Sequence, residues 1–307
     1  MIVTSPSDTL ASATWIDLLQ PTAEEAARVR ATTGLRVPTE AQISEIESSS
    51  RLGFENGAYY LSTPLVAPRE DGEHALVPVG FVLSSHVLLT VRFDPLVSID
   101  DARSQLGSAD RTAEDVFLRI FEVIVDRSAD KLERAGAECD ELSRGAFRRA
   151  GSASTSKALT TTLRRVGSVA ERSSLVRDAL LGVGRIATYI MDSSFEGAPV
   201  VNAARMKAIR ADVASLTDYQ AHLSGKVQFL LDATLGFISI EQNEIVKTLT
   251  IASVAGIPPV LVAGIYGMNF HVMPELGWRY GYLMAIVLIV LSGLLPVLWF
   301  KRRRWMS

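Results

Sequence analysis

Two long apolar segments near the C-terminal end dominate the pattern of hydrophobic and polar positions. Residues 248–270 and residues 281–300 contain no Asp, Glu, Lys or Arg. A helix rises about 1.5 Å per residue, so each segment is long enough to cross a hydrocarbon core of about 30 Å. The residues before Lys247 mix charged and apolar positions as soluble proteins do. The pattern therefore predicts a large soluble part followed by two membrane spans.

The segment before the first span carries an apolar seven-residue repeat over more than four heptads. One series is Ile209, Leu216, Leu223, Leu230 and Phe237. The other is Met206, Val213, Gln220, Val227 and Thr234. No proline interrupts residues 202–257, so we expect one helix of about 60 residues that enters the membrane. Polar Gln220 and Thr234 favour several copies packed around an axis, because buried polar groups need partners. The alternative is packing against the chain's own helices.

The N-terminal part mixes strand and helix signals. Capping-box spacing at Thr22 and Thr39 predicts two helix starts. The remaining signals predict strands at residues 14–19, 58–66, 75–83 and 86–93, and long amphipathic helices at 112–148 and 157–192. These signals divide the chain into an α/β cytoplasmic domain over 1–195 and a stalk helix over 200–268. The end of the stalk helix, at about 248–268, is the first span. An outer loop over 269–280, the second span over 281–300 and a basic cytoplasmic tail over 301–307 follow.

Charge and cysteine content narrow the class of protein. The net charge is −3, which gives no nucleic-acid signature, and the single Cys139 excludes a disulfide framework and multi-cysteine metal sites. The first 18 residues lack the basic and apolar regions of a signal peptide. Basic residues flank the spans at Lys247 and at 301–304, whereas the loop between the spans has only Arg279. The positive-inside rule then predicts a protein of the bacterial inner membrane with both termini on the cytoplasmic side.

No enzyme constellation is visible in the sequence. Residues 182–187 match the glycine-rich dinucleotide pattern G-x-G-x-x-A but lie inside a helical repeat, whereas that pattern needs a preceding strand. A phosphate-binding G-x-x-x-x-G-K-[ST] motif does not occur, and the four histidines have no metal-binding spacing. We therefore expect neither an enzyme nor a cofactor.

The loop after the first span allows two interpretations. Tyr266-Gly267-Met268-Asn269 ends the span, and Met273-Pro274-Glu275-Leu276 follows. Taken on local physics, the Gly and the amide are either polar groups at a pore mouth or the C-terminal cap of a helix. The residues alone leave both interpretations open.

These two motifs at the end of the first of two C-terminal spans resemble the signature of the CorA family of divalent-metal transport proteins. The resemblance extends back through residues 243–251 and Pro258, and forward through Trp278 to the basic tail. Residues 15–17 and 89–92 fit the family's style in the N-terminal part. The resemblance implies a funnel-shaped homopentamer with an α/β cytoplasmic domain, in which the first span lines a central pore.

The resemblance also implies roles for individual residues. The outer mouth and selectivity site comprise Tyr266, Gly267, Met268, Asn269 and Glu275. The pore-lining positions are Asn243, Val246, Leu249, Ile257 and Val260, with Asp232 lower in the funnel. Asp212 and Asp218 are the nearby candidates for a regulatory metal. Val246, Ile257 and Val260 depart from the family member compared, and Pro259 after Pro258 is an added helix breaker.

The expected function is Mg²⁺ influx down the membrane potential, with Co²⁺ tolerated and gating by cytoplasmic metal. The expected partners are other copies of the chain, the lipid bilayer and divalent metal ions, with Mg²⁺ as the transported and regulatory ion. A Zn²⁺ transporter of the related ZntB branch, with or without proton coupling, is one alternative. A membrane-anchored scaffold or sensor is the other, and it needs no polar ring on the face of residues 243–269.

Overall fold

The computed structural model describes residues 1–5, 9–45, 51–69, 73–107, 111–149, 156–268 and 273–303. The chain divides into two compact units. The first unit comprises Met1–Arg149 and Thr161–Asp232, and the second comprises Ala150–Thr160 and Ala233–Ser307.

One mixed sheet forms the centre of the first unit. Its strands are β1 (Ile2–Ser5), β2 (Trp15–Leu19), β3 (Leu52–Glu55), β4 (Ala58–Pro68), β5 (His74–Leu83) and β6 (Leu88–Arg92). Within the described residues the strand order is β1-β2-β6-β5-β4-β3. Strands β2 and β6 are parallel, and the other neighbouring pairs are antiparallel.

The helices follow the sequence signals closely. Their bounds are α1 (Ala23–Thr33), α2 (Glu40–Ser44), α3 (Val97–Leu106), α4 (Ala113–Arg149), α5 (Ser156–Asp192), α6 (Ala203–Tyr266) and α7 (Gly281–Arg302), with a short 3₁₀ helix at Pro274–Gly277. Both predicted capping boxes are present, at Thr22 with Glu25 and at Thr39 with Gln42. The predicted stalk is one 64-residue helix. The α/β fold, the long helix and the two apolar helices are confirmed.

Three elements have weak sequence signals and were not predicted. Strands β1 and β3 have only four residues each, which is too short for a clear alternation of apolar and polar positions. Helix α3 begins after Leu96, whose side chain makes no capping hydrogen bond. These elements form because the neighbouring sheet and helices pack against them.

Side chains alternate between two cores on the two faces of the sheet. Trp15 joins a large core with α3, α4, α5 and the first part of α6, whereas its neighbour Ile16 joins a smaller core with Val29 of α1. The close approach of α5 to the large-core face needs a glycine at one point. A Cβ atom on Gly182 would collide with the Thr63 hydroxyl of β4. The G-x-G-x-x-A match of the sequence is therefore a packing feature in mid-helix.

A buried ionic cluster ties the parallel strand pair to α3. The Asp17 carboxylate of β2 is 1% exposed and accepts hydrogen bonds from Thr90 Oγ1 (2.6 Å) and Arg92 Nη2 (2.8 Å). Arg103 of α3 donates to the same carboxylate at 2.5 Å and stacks over the Trp15 ring. Burial acts to lower the pKa of Arg92. Its contacts with the carboxylates of Asp17 and Asp100 act in the other direction and are stronger together, so the pKa is raised above its usual value. The cluster thus pairs its opposite charges, although Arg92 Nη1 and Arg103 Nε are buried without a hydrogen-bond partner.

The heptad seam of α6 packs against the chain's own helices in the first unit. Met206, Val213, Leu223 and Leu230 are buried in the large core with α4 and α5. Gln220 is 3% exposed, and its Nε2 donates to Ser173 Oγ of α5 at 3.2 Å. The interpretation of Gln220 as a contact between copies is therefore wrong, because its partner lies in the same chain.

Substitution of the buried carboxylate tests the ionic cluster. We expect Asp17→Asn to lower the free energy of unfolding by about 3–5 kcal/mol, because it leaves the buried Arg92 without its main counter-charge. The matched control is Asp101→Asn, which breaks the more exposed ion pair with Arg127 and should cost at most about 1 kcal/mol. Urea unfolding of the full chain in mild detergent, followed by circular dichroism, measures both. Equal losses in the two variants would contradict the assigned role.

Lys131 gives the stability a predicted pH dependence. Burial, aided by the charges of Arg127 and Arg134, lowers the pKa of Lys131 from 10.5 to about 8. Between these two values the unfolded chain binds a proton that the folded chain has released, so the free energy of unfolding should rise with pH. We expect this rise over about pH 8–10.5 to be absent in Lys131→Met and kept in Lys207→Met, a substitution on the exposed surface of α6. Unfolding at several pH values provides the check, and an unchanged slope in Lys131→Met would refute it.

Candidate functional site

One face of α6 in the second unit carries the predicted pore-lining residues. Successive helix residues are about 100° apart, which places Val246, Leu249, Ile257 and Val260 within about one third of the circumference. Leu249 is 66% exposed and Val260 72% exposed within the single chain. Asn243 is exposed at one edge of this face. The face is therefore mostly apolar, continuous and uncovered by the chain's own described residues.

Helix α7 packs on the opposite side of α6. A Cβ atom on Gly293 of α7 would lie 3.1 Å from Pro259 Cγ and 3.4 Å from the Ala255 carbonyl oxygen. Ala255 and Pro259 each lie two positions from Ile257, which is about 200° around the helix axis. Gly293 thus allows a close approach of the two apolar helices. The contact with α7 leaves the predicted pore face open.

The tandem prolines do not break α6. The helix runs without interruption through Pro258 and Pro259 to Tyr266. The expectation of an added helix break at Pro259 is therefore wrong. Proline lacks the amide hydrogen, so the carbonyl groups of Val254 and Ala255 lose their usual donors four residues on. Apolar helices tolerate this where neighbouring groups pack against the site, as α7 does here.

Hydroxyl groups of the apolar segment are satisfied within α6 itself. Thr248 Oγ1 donates to the Glu244 carbonyl at 2.9 Å, and Thr250 Oγ1 donates to the Val246 carbonyl at 2.8 Å. Ser253 Oγ repeats the bond to the carbonyl four residues earlier at 2.9 Å. Because their hydrogens are used in the helix, these side chains do not require partners from a second chain.

A shallow groove of about 400 Å³ runs along the same face. It is lined by Ser253, Gly256, Ile257, Val260 and Leu261. Sequence reasoning did not select Ser253, Gly256 or Leu261. The signal for them was present, since positions 249, 253, 256 and 260 follow the three- and four-residue steps of one helix face. The small side chains at 253 and 256 make this part of the face concave.

The predicted outer mouth begins where α6 ends. Tyr266 is the last helical residue, and the Gly267 amide donates to the Ala263 carbonyl at 2.9 Å. A Cβ atom on Gly267 would lie 3.1 Å from that carbonyl oxygen, so close backbone packing favours glycine; its φ is not positive. Met268 is 49% exposed. Asn269 lies outside the described residues, and Glu275 is described only as part of the 3₁₀ helix.

The acidic candidates stay apart within one chain. Asp232 is exposed, and its Oδ1 accepts a hydrogen bond from Gln228 Nε2 at 3.1 Å. Asp212 and Asp218 are also exposed, but six positions separate them by about 9 Å along α6. Over the part of the chain that the structure describes, no three His, Cys, Asp or Glu side chains are placed to hold a metal ion. A regulatory metal at Asp212 or Asp218 stays a prediction.

Both apolar helices are long enough to cross a membrane, judged by length and composition. The 18-residue windows that meet this test have mean hydropathies of 1.8 in α6 and 2.6 in α7, and almost none of their residues are buried in the chain. A core helix of a water-soluble protein would be mostly buried, and neither helix is near the N-terminus where signal sequences lie. Lipid or further protein must therefore cover these surfaces.

Comparison with known proteins gives one consistent result. The family model described as CorA-like Mg²⁺ transporter protein matches residues 11–302. The magnesium transport protein CorA of Escherichia coli K12 is 31% identical over 304 residues, covering 98% of this chain and 94% of that protein. The CorA protein of Yersinia pseudotuberculosis is also 31% identical, with the same coverage. The complete structure of the CorA magnesium transporter from Methanocaldococcus jannaschii has the same fold, with a TM-score of 0.74 at 20% identity, over 95% of this chain and 90% of that one.

Proposed function

Because the chain belongs to the CorA-like Mg²⁺ transporter family, we propose that it conducts Mg²⁺ into the cell, with Co²⁺ as a second permeant ion. The family consists of ion transporters, so the chain is a membrane transporter of divalent cations and not an enzyme. The observation that carries the proposal is the exposed apolar face of α6 opposite its contact with α7.

A pore requires several copies of this face around one axis. A single α6 helix offers ions no enclosed path, and its uncovered face would otherwise contact lipid. In the proposed homopentamer, five α6 faces enclose the conduction path and five α7 helices form the outer ring. The resemblance supports the number five, whereas the heptad seam does not, because the chain's own helices α4 and α5 cover it. The anchor alternative is disfavoured by family membership.

Selectivity in this proposal depends on the loop after α6. Mg²⁺ sheds its water reluctantly, so a single neutral amide is a poor site for the bare ion. A ring of Asn269 side-chain amide oxygens, one from each copy, can accept hydrogen bonds from the water shell of a hydrated ion. Glu275 would raise the local concentration of cations. The site thus selects ions by the size and geometry of the hydrated shell.

The apolar part of the proposed pore serves as the gate. Leu249 and Val246 can close the path by excluding water, and opening lets the ion pass with its hydration shell. The driving force needs no nucleotide hydrolysis, since a dication gains about 4.6 kcal/mol per 100 mV of inside-negative potential. Metal bound at Asp212 or Asp218 between copies would stabilise the closed state when the cytoplasmic concentration is high.

The charge pattern supports the proposed orientation in a bacterial inner membrane. Lys301, Arg302 and Arg303 follow the apolar part of α7 directly. The Arg303 guanidinium lies 5.2 Å from the Trp299 ring, and such amphipathic pairs suit the membrane–water interface. This end would lie in the cytoplasm together with the N-terminus. Zinc transport coupled to protons is the second candidate, and the names of the relatives favour magnesium.

Leu249→Asp separates a pore from a lipid-facing surface. We expect a ring of carboxylates at this position to wet the constriction, raise basal Mg²⁺ flux several-fold and weaken closure by internal metal. The control is Val290→Asp on the exposed face of α7, where a charge in lipid costs about 2.5–3.5 kcal/mol per helix and lowers assembly without a leak. Flux into liposomes that hold purified protein measures both. A folded, pentameric Leu249→Asp protein with unchanged flux would rule out the proposed face.

Asn269→Ala tests the outer ring. We expect the variant to lose most Mg²⁺ uptake and to keep its assembly, because the proposal gives the side-chain amide a contact with the hydrated ion and no part in assembly. Uptake of Mg²⁺, Co²⁺, Ni²⁺ and Zn²⁺ is compared with and without a pH gradient, and native mass measurement confirms the pentamer. Wild-type uptake by a well-assembled variant refutes the ring. Zn²⁺ uptake that requires the gradient would instead favour the zinc transporter.

A further inference from the structure

A cleft lies in the first unit at the open edge of β4. Strand β3 pairs with β4 only from Ala58 to Leu61. From Ser62 onward, no described strand pairs with β4 on that side. Two cavities of about 250 Å³ and about 520 Å³ lie at this edge, and both are lined by Ile43 and Arg51. The cleft is thus built from α2, the sheet edge and the residue that precedes β3.

Arg51 places a positive charge in this cleft that is not neutralised by any carboxylate in the described ranges. Its Nε donates to the Glu45 carbonyl oxygen. No carboxylate of the described residues lies within ion-pair distance of its guanidinium group. Burial, and then the charge of nearby Arg185, lower the pKa of Arg51. A half-buried cation in this situation is stabilised by an anion that supplies the missing counter-charge.

Ser62 is a second group without a partner at the same place. Its side chain is 6% exposed, and its buried hydroxyl makes no hydrogen bond. Leu52 pairs with Leu61, so extending the register by one residue places Arg51 opposite Ser62. A buried hydroxyl without a partner costs free energy that a bound acceptor would recover. The smaller cavity therefore brings a hydroxyl without a partner together with a guanidinium group that has no ion-pair partner among the described residues.

Arg36 also lines the smaller cavity and is held in place. Its Nη1 donates to Gln42 Oε1 at 2.9 Å, and its guanidinium stacks over the Tyr60 ring at 4.8 Å. Glu55 partly neutralises it, with Nη2 and Oε2 3.5 Å apart. Tyr60 and Ser62 share one face of β4 because they are two positions apart. The guanidinium groups of Arg51 and Arg36 and the Ser62 hydroxyl are thus among the donors that line the cavity, together with the Tyr60 hydroxyl and the Gln42 amide, and the exposed Glu45 also lines it.

We propose that this cleft binds a phosphate-type oxyanion, held by Arg51, Arg36 and the Ser62 hydroxyl. Guanidinium groups match the oxygens of a phosphate in a two-pronged geometry, and a serine hydroxyl adds one further donor. The smaller cavity has room for a single tetrahedral oxyanion. The larger cavity has an apolar part, formed by Pro64, Leu76, Pro78 and Leu181, and a polar part, formed by Ser44, Arg51, Asp178 and Arg185. It offers both apolar surface and polar groups to the organic part of a phosphate ester.

Equilibrium dialysis of the full chain in mild detergent, without divalent metal, tests the proposal with two probes. Inorganic phosphate and adenosine monophosphate are each titrated to about 10 mM, which is the weak end of specific binding. We expect saturable binding that Arg51→Gln weakens at least about tenfold. Arg28→Gln, at an exposed arginine on α1, is the matched control and should bind as the wild type does. Ser62→Ala should weaken binding about three- to tenfold with an unchanged melting temperature, because its hydroxyl has no partner in the protein.

The outcomes separate the source of the oxyanion from failure of the proposal. If the nucleotide competes with phosphate and both are weakened in the same variants, the ligand is a phosphate ester. Binding of phosphate alone identifies a free oxyanion. The proposal is overturned if neither probe saturates, if Ser62→Ala binds as the wild type does, or if Arg28→Gln loses as much as Arg51→Gln. None of these measurements involves ion transport, so the result is independent of the proposed function.

Discussion

Burial of the α6 seam against α4 and α5 is the contact on which the first unit depends. An isolated helix is only marginally stable in water, and most of its stability in proteins comes from packing of an apolar face. Met206, Ile209 and Val213 begin that face, and Leu223, Val227 and Leu230 continue it, all in the large core. Around the seam, Lys226 pairs with Asp140 at 2.6 Å and Arg205 with Glu122 at 2.8 Å. One face of a single helix thus fixes three long helices together.

The same helix becomes apolar and free of charged residues from residue 248 onward. No described helix of the second unit covers Leu249, Ile257 or Val260, whereas the side with Ala255 and Pro259 contacts α7. Van der Waals packing of small residues can hold two helices together in lipid, where the hydrophobic effect gives no drive for association. A continuous exposed stripe on the other side then has to be met by lipid or by other copies. This asymmetry makes α6 the natural wall of a pore.

Much of the fold could be predicted from the sequence, because long apolar patterns and capping boxes are local signals. The bounds of α4, α5, α6 and α7 follow the predicted segments closely. The partner of an apolar seam is not a local property, since packing within a chain and between chains uses the same spacing. Gln220 was therefore assigned to the wrong contact. Residues 15–17 and 89–92 were noted only for their resemblance to the family, and the ionic cluster that they form with Arg103 of α3 was not predicted. Ser253 and Gly256 were missed although they follow the same three- and four-residue steps as Leu249 and Val260.

The paired prolines make one segment of α6 easier to bend than the rest of the helix, where the backbone hydrogen bonds are complete. Two adjacent carbonyl groups without helical donors reduce the local resistance to bending, while the turns on either side keep a full set of bonds. Thermal bending should therefore concentrate near residues 254–259, with two stiffer rods on either side. The same short segment borders the groove lined by Gly256 and Ile257. A small change of angle there would alter the width of that groove while costing little in hydrogen bonds.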